Sequence, residues 1–113
     1  MTEKFKVRFL GEAFEFLDKL DEKTRDKIIY NVNKAKNSND PELLKKLSGE
    51  IWEFRTLFIK KQYRLLAFWD KTEKTETLVI STHGIIKKTD KIPKSEIDKA
   101  EGIRKKYFEL KNK

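Results

Sequence analysis

The stretch IWEFRTLFIKKQYRLLAFW, residues 51–69, decides the fold. Residues 51–59 alternate, with Trp52, Phe54, Thr56 and Phe58 on one side and Ile51, Glu53, Arg55, Leu57 and Ile59 on the other, the period of a strand. Lys60 and Lys61 fit a two-residue turn, though without an Asn-Gly signature. Residues 62–69 then alternate again, with Tyr63, Leu65, Ala67 and Trp69 sharing a side. With the turn at Lys60–Lys61, one face of the hairpin collects Trp52, Phe54, Phe58, Tyr63, Leu65, Ala67 and Trp69 and has to be core. The other collects Glu53, Arg55, Leu57, Arg64, Leu66 and Phe68, with Arg55 and Arg64 as diagonal neighbours.

Outward from this hairpin, a polar, turn-like segment at residues 70–75 leads to a third strand over residues 76–86. If Leu78 and Ile80 join the core side, then Val79, Ser81 and His83 join Arg55 and Arg64 on the other face. Upstream, residues 4–10 alternate and predict a first strand, which Gly11 ends. Residues 12–20 and 22–36 carry helical apolar spacing, with Asp21 as the N-cap of the second helix. Pro41 predicts a short helical turn holding Leu43 and Leu44, and residues 46–49 read as loop. Pro93 precedes a last helix over residues 94–111. The expected fold is α+β: a single twisted, mainly antiparallel sheet of about four strands, the first at an edge. The helices, an N-terminal hairpin and a C-terminal helix, are expected on one face, and the other stays at least partly open.

At 113 residues the chain fits one domain, residues 1–113. It has no apolar run near the about 20 residues that span a bilayer, so no membrane association is expected. No cysteine and one histidine leave neither a disulfide framework nor a plausible zinc site, and a cytoplasmic protein is the expectation. The net charge of +8 is concentrated late: residues 83–113 hold 10 basic and 5 acidic side chains. Such a balance points to a polyanion, nucleic acid above all, with a merely solubilising lysine surface as the alternative. There is no phosphate-binding glycine loop, dinucleotide fingerprint or helical His-Glu-x-x-His.

The open face therefore carries the candidate site: Arg55, Arg64, the lone His83, and the Lys87–Lys88 pair beyond it. Each has an ordinary reading, a wet-face arginine or a structural histidine, and the combination is rarer than its parts. On an open face, replacement of Arg64 is expected to leave stability nearly unchanged. Trp52 and Trp69 read as core.

The ordered set of elements resembles the RelE superfamily of bacterial toxins, in particular its HigB-like, phage-derived branch. The stretches that carry the resemblance are residues 51–55 (IWEFR), 62–66 (QYRLL), 81–89 (STHGIIKKT) and the segment from Lys91 and Pro93 through Arg104 and Tyr107. It covers most of the chain, from about residue 4 to residue 110. The resemblance implies a type II toxin that cleaves translated mRNA on the ribosome by transesterification, with no metal or cofactor. It implies a cognate antitoxin, of helix-turn-helix type, and contacts with mRNA and 16S rRNA. On it, Arg64 holds the phosphate with Arg55 in support, His83 moves a proton, Lys87 supplies charge, and Lys88, Lys60, Lys61 and Lys91 contact RNA. Two other classes stay open: a topoisomerase-poisoning relative, and a basic nucleic-acid-binding module without catalysis.

Overall fold

The computed structural model describes residues 4–72, 78–88 and 91–112. The elements run β1 (Lys6–Phe9), α1 (Gly11–Asp18), α2 (Glu22–Ala35), β2 (Leu44–Ser48), β3 (Ile51–Phe58), β4 (Lys61–Asp70), β5 (Leu78–Lys87) and α3 (Lys94–Lys111). They form an α+β fold with one mixed five-stranded sheet in the order β1-β5-β4-β3-β2 and three helices. β1 lies at the edge, as expected, and is parallel to β5; the other pairs are antiparallel. Most of the expected turn at residues 70–75, the start of the third strand at Glu76, and the side chains of Leu78 and Ile80 lie outside the described residues.

The helical hairpin forms for local reasons. Asp21 caps α2, its carboxylate accepting from the Thr24 amide at 3.2 Å and the Thr24 hydroxyl at 2.6 Å. α1 has no basic residue in its last turn, and Arg25 reaches back from α2 to donate to the carbonyls of Leu17 and Leu20. The hairpin covers one sheet face, where Leu17, Ile28, Val32 and Ala35 pack on Phe54, Tyr63, Leu65 and Ala67.

Four features depart from the sequence reading. The segment expected as helical turn and loop is instead β2, an edge strand with a register shift between Lys46 and Ser48. Its Lys45 and Lys46 give it no apolar alternation, yet charged lysines suit an edge that must not pair further.

The β3–β4 turn sits one residue earlier than expected, at Ile59 and Lys60, with Phe58 opposite Lys61. Both turn residues have positive φ, 47° and 64°, matching the twist of a tight hairpin without the usual Asn-Gly. The move shifts each pairing by two, so the faces are kept and Arg55 stands directly opposite Arg64.

The second face is not left open. α3 crosses it, and Ile97, Ala100, Tyr107 and Phe108 pack on Ile51, Leu66, Phe68 and Ile92. The unbroken apolar run Leu65–Leu66–Ala67–Phe68 in β4 is the physical reason, since both faces of that segment need cover. Glu53, Arg55, Arg64 and His83 lie on this face towards the β3–β4 turn, and Asp70 lies at its far end under α3.

Finally, β5 changes parity within itself. Val79 and Ser81 are buried opposite Trp69 and Ala67, and Val79 belongs to the helical-hairpin core, the reverse of the expected side. A bulge then leaves Thr82 without a partner residue, and His83 pairs with Leu66 on the Arg64 face. His83 reaches its expected face because of an inserted residue that no hydrophobic pattern announces.

Gly84, next in line, has a packing reason. A Cβ built there runs into the ring of Phe16 from α1. Gly84→Ala is expected to push that ring aside and destabilise by about 1 to 3 kcal/mol. A chemical melt checks this, and a cost under about 0.5 kcal/mol would show that Phe16 yields freely.

Candidate functional site

Three neighbouring rungs of β3, β4 and β5 build the site. Glu53, Leu66 and His83 form one, Arg55, Arg64 and Ile85 the next, and Leu57, Gln62 and Lys87 the third. Side chains of alternate residues share a face, so these nine form one patch, with α3 bordering it.

Arg64 is at its centre and only 3% exposed. Its Nε lies 3.1 Å from Glu53 Oε1, a close charge contact not aligned as a hydrogen bond. Nη1 donates to the Tyr63 carbonyl at 3.0 Å and Nη2 to Gln62 Oε1 at 2.7 Å. Burial lowers the guanidinium pKa, and Glu53 acts in the opposite direction. Arg55 flanks the same carboxylate at 3.9 Å and donates to the Pro41 carbonyl at 3.4 Å. Glu53, only 7% exposed, is thus held between the two arginines. Arg64 is therefore an internal cation, held through Nη1, Nη2 and the Glu53 charge, rather than the wet-face residue the alternation suggested.

His83 is also buried. Its Nε2 is 3.1 Å from Glu96 Oε1, and its Nδ1 is 2.9 Å from the Thr82 hydroxyl, which itself lies 3.1 Å from the Leu66 carbonyl. A neutral ring satisfies both contacts by donating from Nε2 and accepting the Thr82 hydroxyl at Nδ1. A protonated ring donates from both nitrogens, and the hydroxyl then turns to the Leu66 carbonyl. Burial lowers the imidazole pKa, outweighing the Glu96 contact that raises it. His83 is thereby kept neutral near pH 7.

Glu96 was missed in the sequence. It sits in the first turn of α3, where a carboxylate suits the helix dipole, and only the placement of α3 over this face brings it to His83. Glu96 also lines a pocket of about 170 Å³ with Ile85, Ile86, Lys87, Lys88, Lys91 and Pro93. The structure thus gathers Lys87, Lys88 and Lys91 at one mouth with the His83–Glu96 pair beside it. Arg64 stands one rung away, opposite Ile85. Lys60 and Lys61 lie apart from the pocket, exposed at the β3–β4 turn beside Ile59. Among the described residues no cluster of His, Asp and Glu has metal-ligand geometry, and no helix is long and apolar enough to cross a membrane.

A small, basic α+β protein with one cationic, histidine-bearing sheet face is the class these features define. Residues 15–105 match the family Phage derived protein Gp49-like (DUF891), and the chain belongs to it. This is a toxin-like family of the RelE kind. No curated protein matches the chain.

Proposed function

We propose that this protein is the toxin of a type II toxin-antitoxin pair, of the HigB-like branch, and an endoribonuclease acting on mRNA in the ribosome. The observation that carries the reading is the His83–Glu96 pair opening beside a pocket walled by Lys87, Lys88 and Lys91. Proton transfer beside fixed cations is what 2′-hydroxyl attack on a phosphodiester requires.

In this reading the 2′-oxygen bonds to phosphorus and the bond from phosphorus to the 5′-oxygen breaks. The 2′-hydroxyl proton goes to the His83–Glu96 pair, met by the more exposed Glu96, and is returned to the leaving 5′-oxygen. The products are a 2′,3′-cyclic phosphate and a 5′-hydroxyl. Lys87 and Arg55 stabilise the charge that develops on the phosphoryl oxygens, and Lys88, Lys91, Lys60 and Lys61 hold flanking RNA. Arg64 reaches a phosphate only when exposed Gln62 gives up its bond to Nη2. Its standing task is to position Glu53 and Arg55. The antitoxin is a helix-turn-helix protein encoded beside the toxin, and the protein works in the cytoplasm.

Mapping mRNA 5′ ends after brief expression tests this. Cuts confined to translated message, with 5′-hydroxyl ends, are expected. Replication arrest with intact mRNA would favour topoisomerase poisoning instead, and efficient cutting of naked RNA would overturn ribosome dependence.

The pair also predicts a pH profile. Because burial lowers His83, the acid limb of single-turnover cleavage lies below the 6.5 of a free imidazole. The same shift affects stability. The unfolded chain binds the His83 proton first, so stability declines as pH falls from 6.5 towards the lower folded value. Glu96→Gln is expected to slow cleavage by about 10²- to 10⁴-fold. An acid limb at or above 6.5 would remove the pair from the mechanism.

A further inference from the structure

A second cleft, larger than the pocket beside His83 and Glu96, lies away from the site described above. It has a volume of about 520 Å³ and its walls include Trp52, Trp69, Lys4, Lys45, Lys46 and Lys71. Strand parity puts Trp52 and Trp69 on the face that carries α1 and α2, opposite to Arg64 and His83. Its outer wall is the loop between α2 and β2, residues 38–41, together with β2 itself. Its volume is in the range that encloses a nucleotide-sized ligand.

Trp52 and Trp69 are the only tryptophans of the chain, and both are half-buried rather than sealed in the core. Their rings meet edge-on, with centroids 5.8 Å apart. The Lys71 ammonium lies 5.8 Å from the Trp69 ring, so the cleft already places a cation beside an indole. Among the described residues none of the four lysines makes an ion pair. The one acid in the wall, Asp40, is engaged by the Glu42 amide at 2.9 Å.

We propose that this cleft binds one nucleotide of a single-stranded RNA, the base against the two indoles and the flanking phosphates on the lysine rim. Aromatic faces take a base of any sequence, and lysines take phosphate as point charges. An acidic peptide would satisfy the lysines but leave the paired indoles without a planar partner. The proposal goes beyond the cleavage reading and does not depend on it: the cleft is on the other face and holds no proton-transfer group of the first site.

Both tryptophans line the cleft, so their fluorescence reports its occupation directly. The probes are hexaadenylate RNA and its 2′-deoxy counterpart, which has no 2′-hydroxyl to attack. Both are expected to quench the emission, whatever becomes of the cleavage assay. Engagement of about two phosphates gives a salt slope near −1.4, hence roughly sevenfold weaker binding at 200 mM than at 50 mM salt. The pair Lys46→Glu and Lys71→Glu, both at the surface, should weaken binding at least about tenfold, and Trp69→Phe should weaken it while leaving the fold intact. Quenching that survives the two charge reversals would overturn the proposal, as would quenching by an aromatic, glutamate-rich peptide but not by hexaadenylate. Adenosine monophosphate binding as tightly as the hexamer would overturn the assignment to a strand.

Discussion

Arg64→Ala is expected to cost about 3 to 5 kcal/mol of stability, the range for removing one partner of a buried ion pair. The guanidinium is 3% exposed and Glu53 is 7% exposed, so the loss leaves a carboxylate in the interior with Arg55 as its remaining cation, at 3.9 Å. The Gln62 contact and the bond to the Tyr63 carbonyl go with it. Arg64→Lys keeps a charge but not the three-way reach, and should fall between. Urea melts of Arg64→Ala, Glu53→Gln and the double variant check this. The double variant should cost clearly less than the sum of the singles, because the second change removes the charge that the first left unpaired. A melt of Arg64→Ala within about 0.5 kcal/mol of the parent would instead restore the open-face view of this residue. The consequence for function is direct. If the proposed function holds, any loss of toxicity in Arg64→Ala has to be read per folded molecule, since a protein short of several kcal/mol is depleted in cells whatever its chemistry.

The contrast between Arg64 and Asp21 shows where sequence reading succeeds. Asp21 acts on residues three positions away, and a cap followed by an acidic-to-basic helix is written locally. The limits of α2, β3, β4 and α3 follow from periods and breakers in the same way. Arg64 depends on Glu53, which alternation had placed on the same face, but pairing and burial require knowing what lies above that face. The packing of α3 supplies this, and its own amphipathic pattern does not say which side of the sheet it will choose. The apolar run 65–68 contained the hint, because a strand wet on one side has no use for Leu66 and Phe68. The Thr82 bulge is less legible still. His83 reached the expected face through two departures, a reversed parity at Val79 and an extra residue at Thr82, that cancel. Glu96, 13 residues from His83, becomes a site residue only once helix and sheet are docked.

Asp70→Asn is the second large effect expected, and it separates the clamp at the far end of α3 from the site at its start. Asp70 is fully buried at the end of β4. It accepts from the Thr72 amide at 2.9 Å and hydroxyl at 2.6 Å, from the Tyr107 hydroxyl at 2.6 Å and from the Lys111 ammonium at 2.7 Å. Burial alone would raise this carboxyl, but the bonds from Lys111, Thr72 and Tyr107 outweigh it and hold the group well below the usual carboxylate range. The amide keeps the volume but loses the charge and turns one acceptor into a donor facing Tyr107 or Lys111. A cost of about 3 kcal/mol follows, nearer the value for hydrogen bonds to charged groups than for neutral ones. Since the folded pKa is depressed, this stabilisation is complete above the unfolded carboxyl value of 3.8 and is lost as pH falls below it. The gap between parent and Asp70→Asn in chemical melts should therefore be constant near neutrality and shrink in acid. A gap that stays the same at low pH would show that Asp70 acts through shape rather than charge. Under the proposed endoribonuclease reading, cleavage per folded molecule should change little, because Glu96 meets His83 at the opposite end of the helix, three turns from Tyr107. A large fall in that quantity would mean that the His83–Glu96 contact is held in place from the Asp70 end.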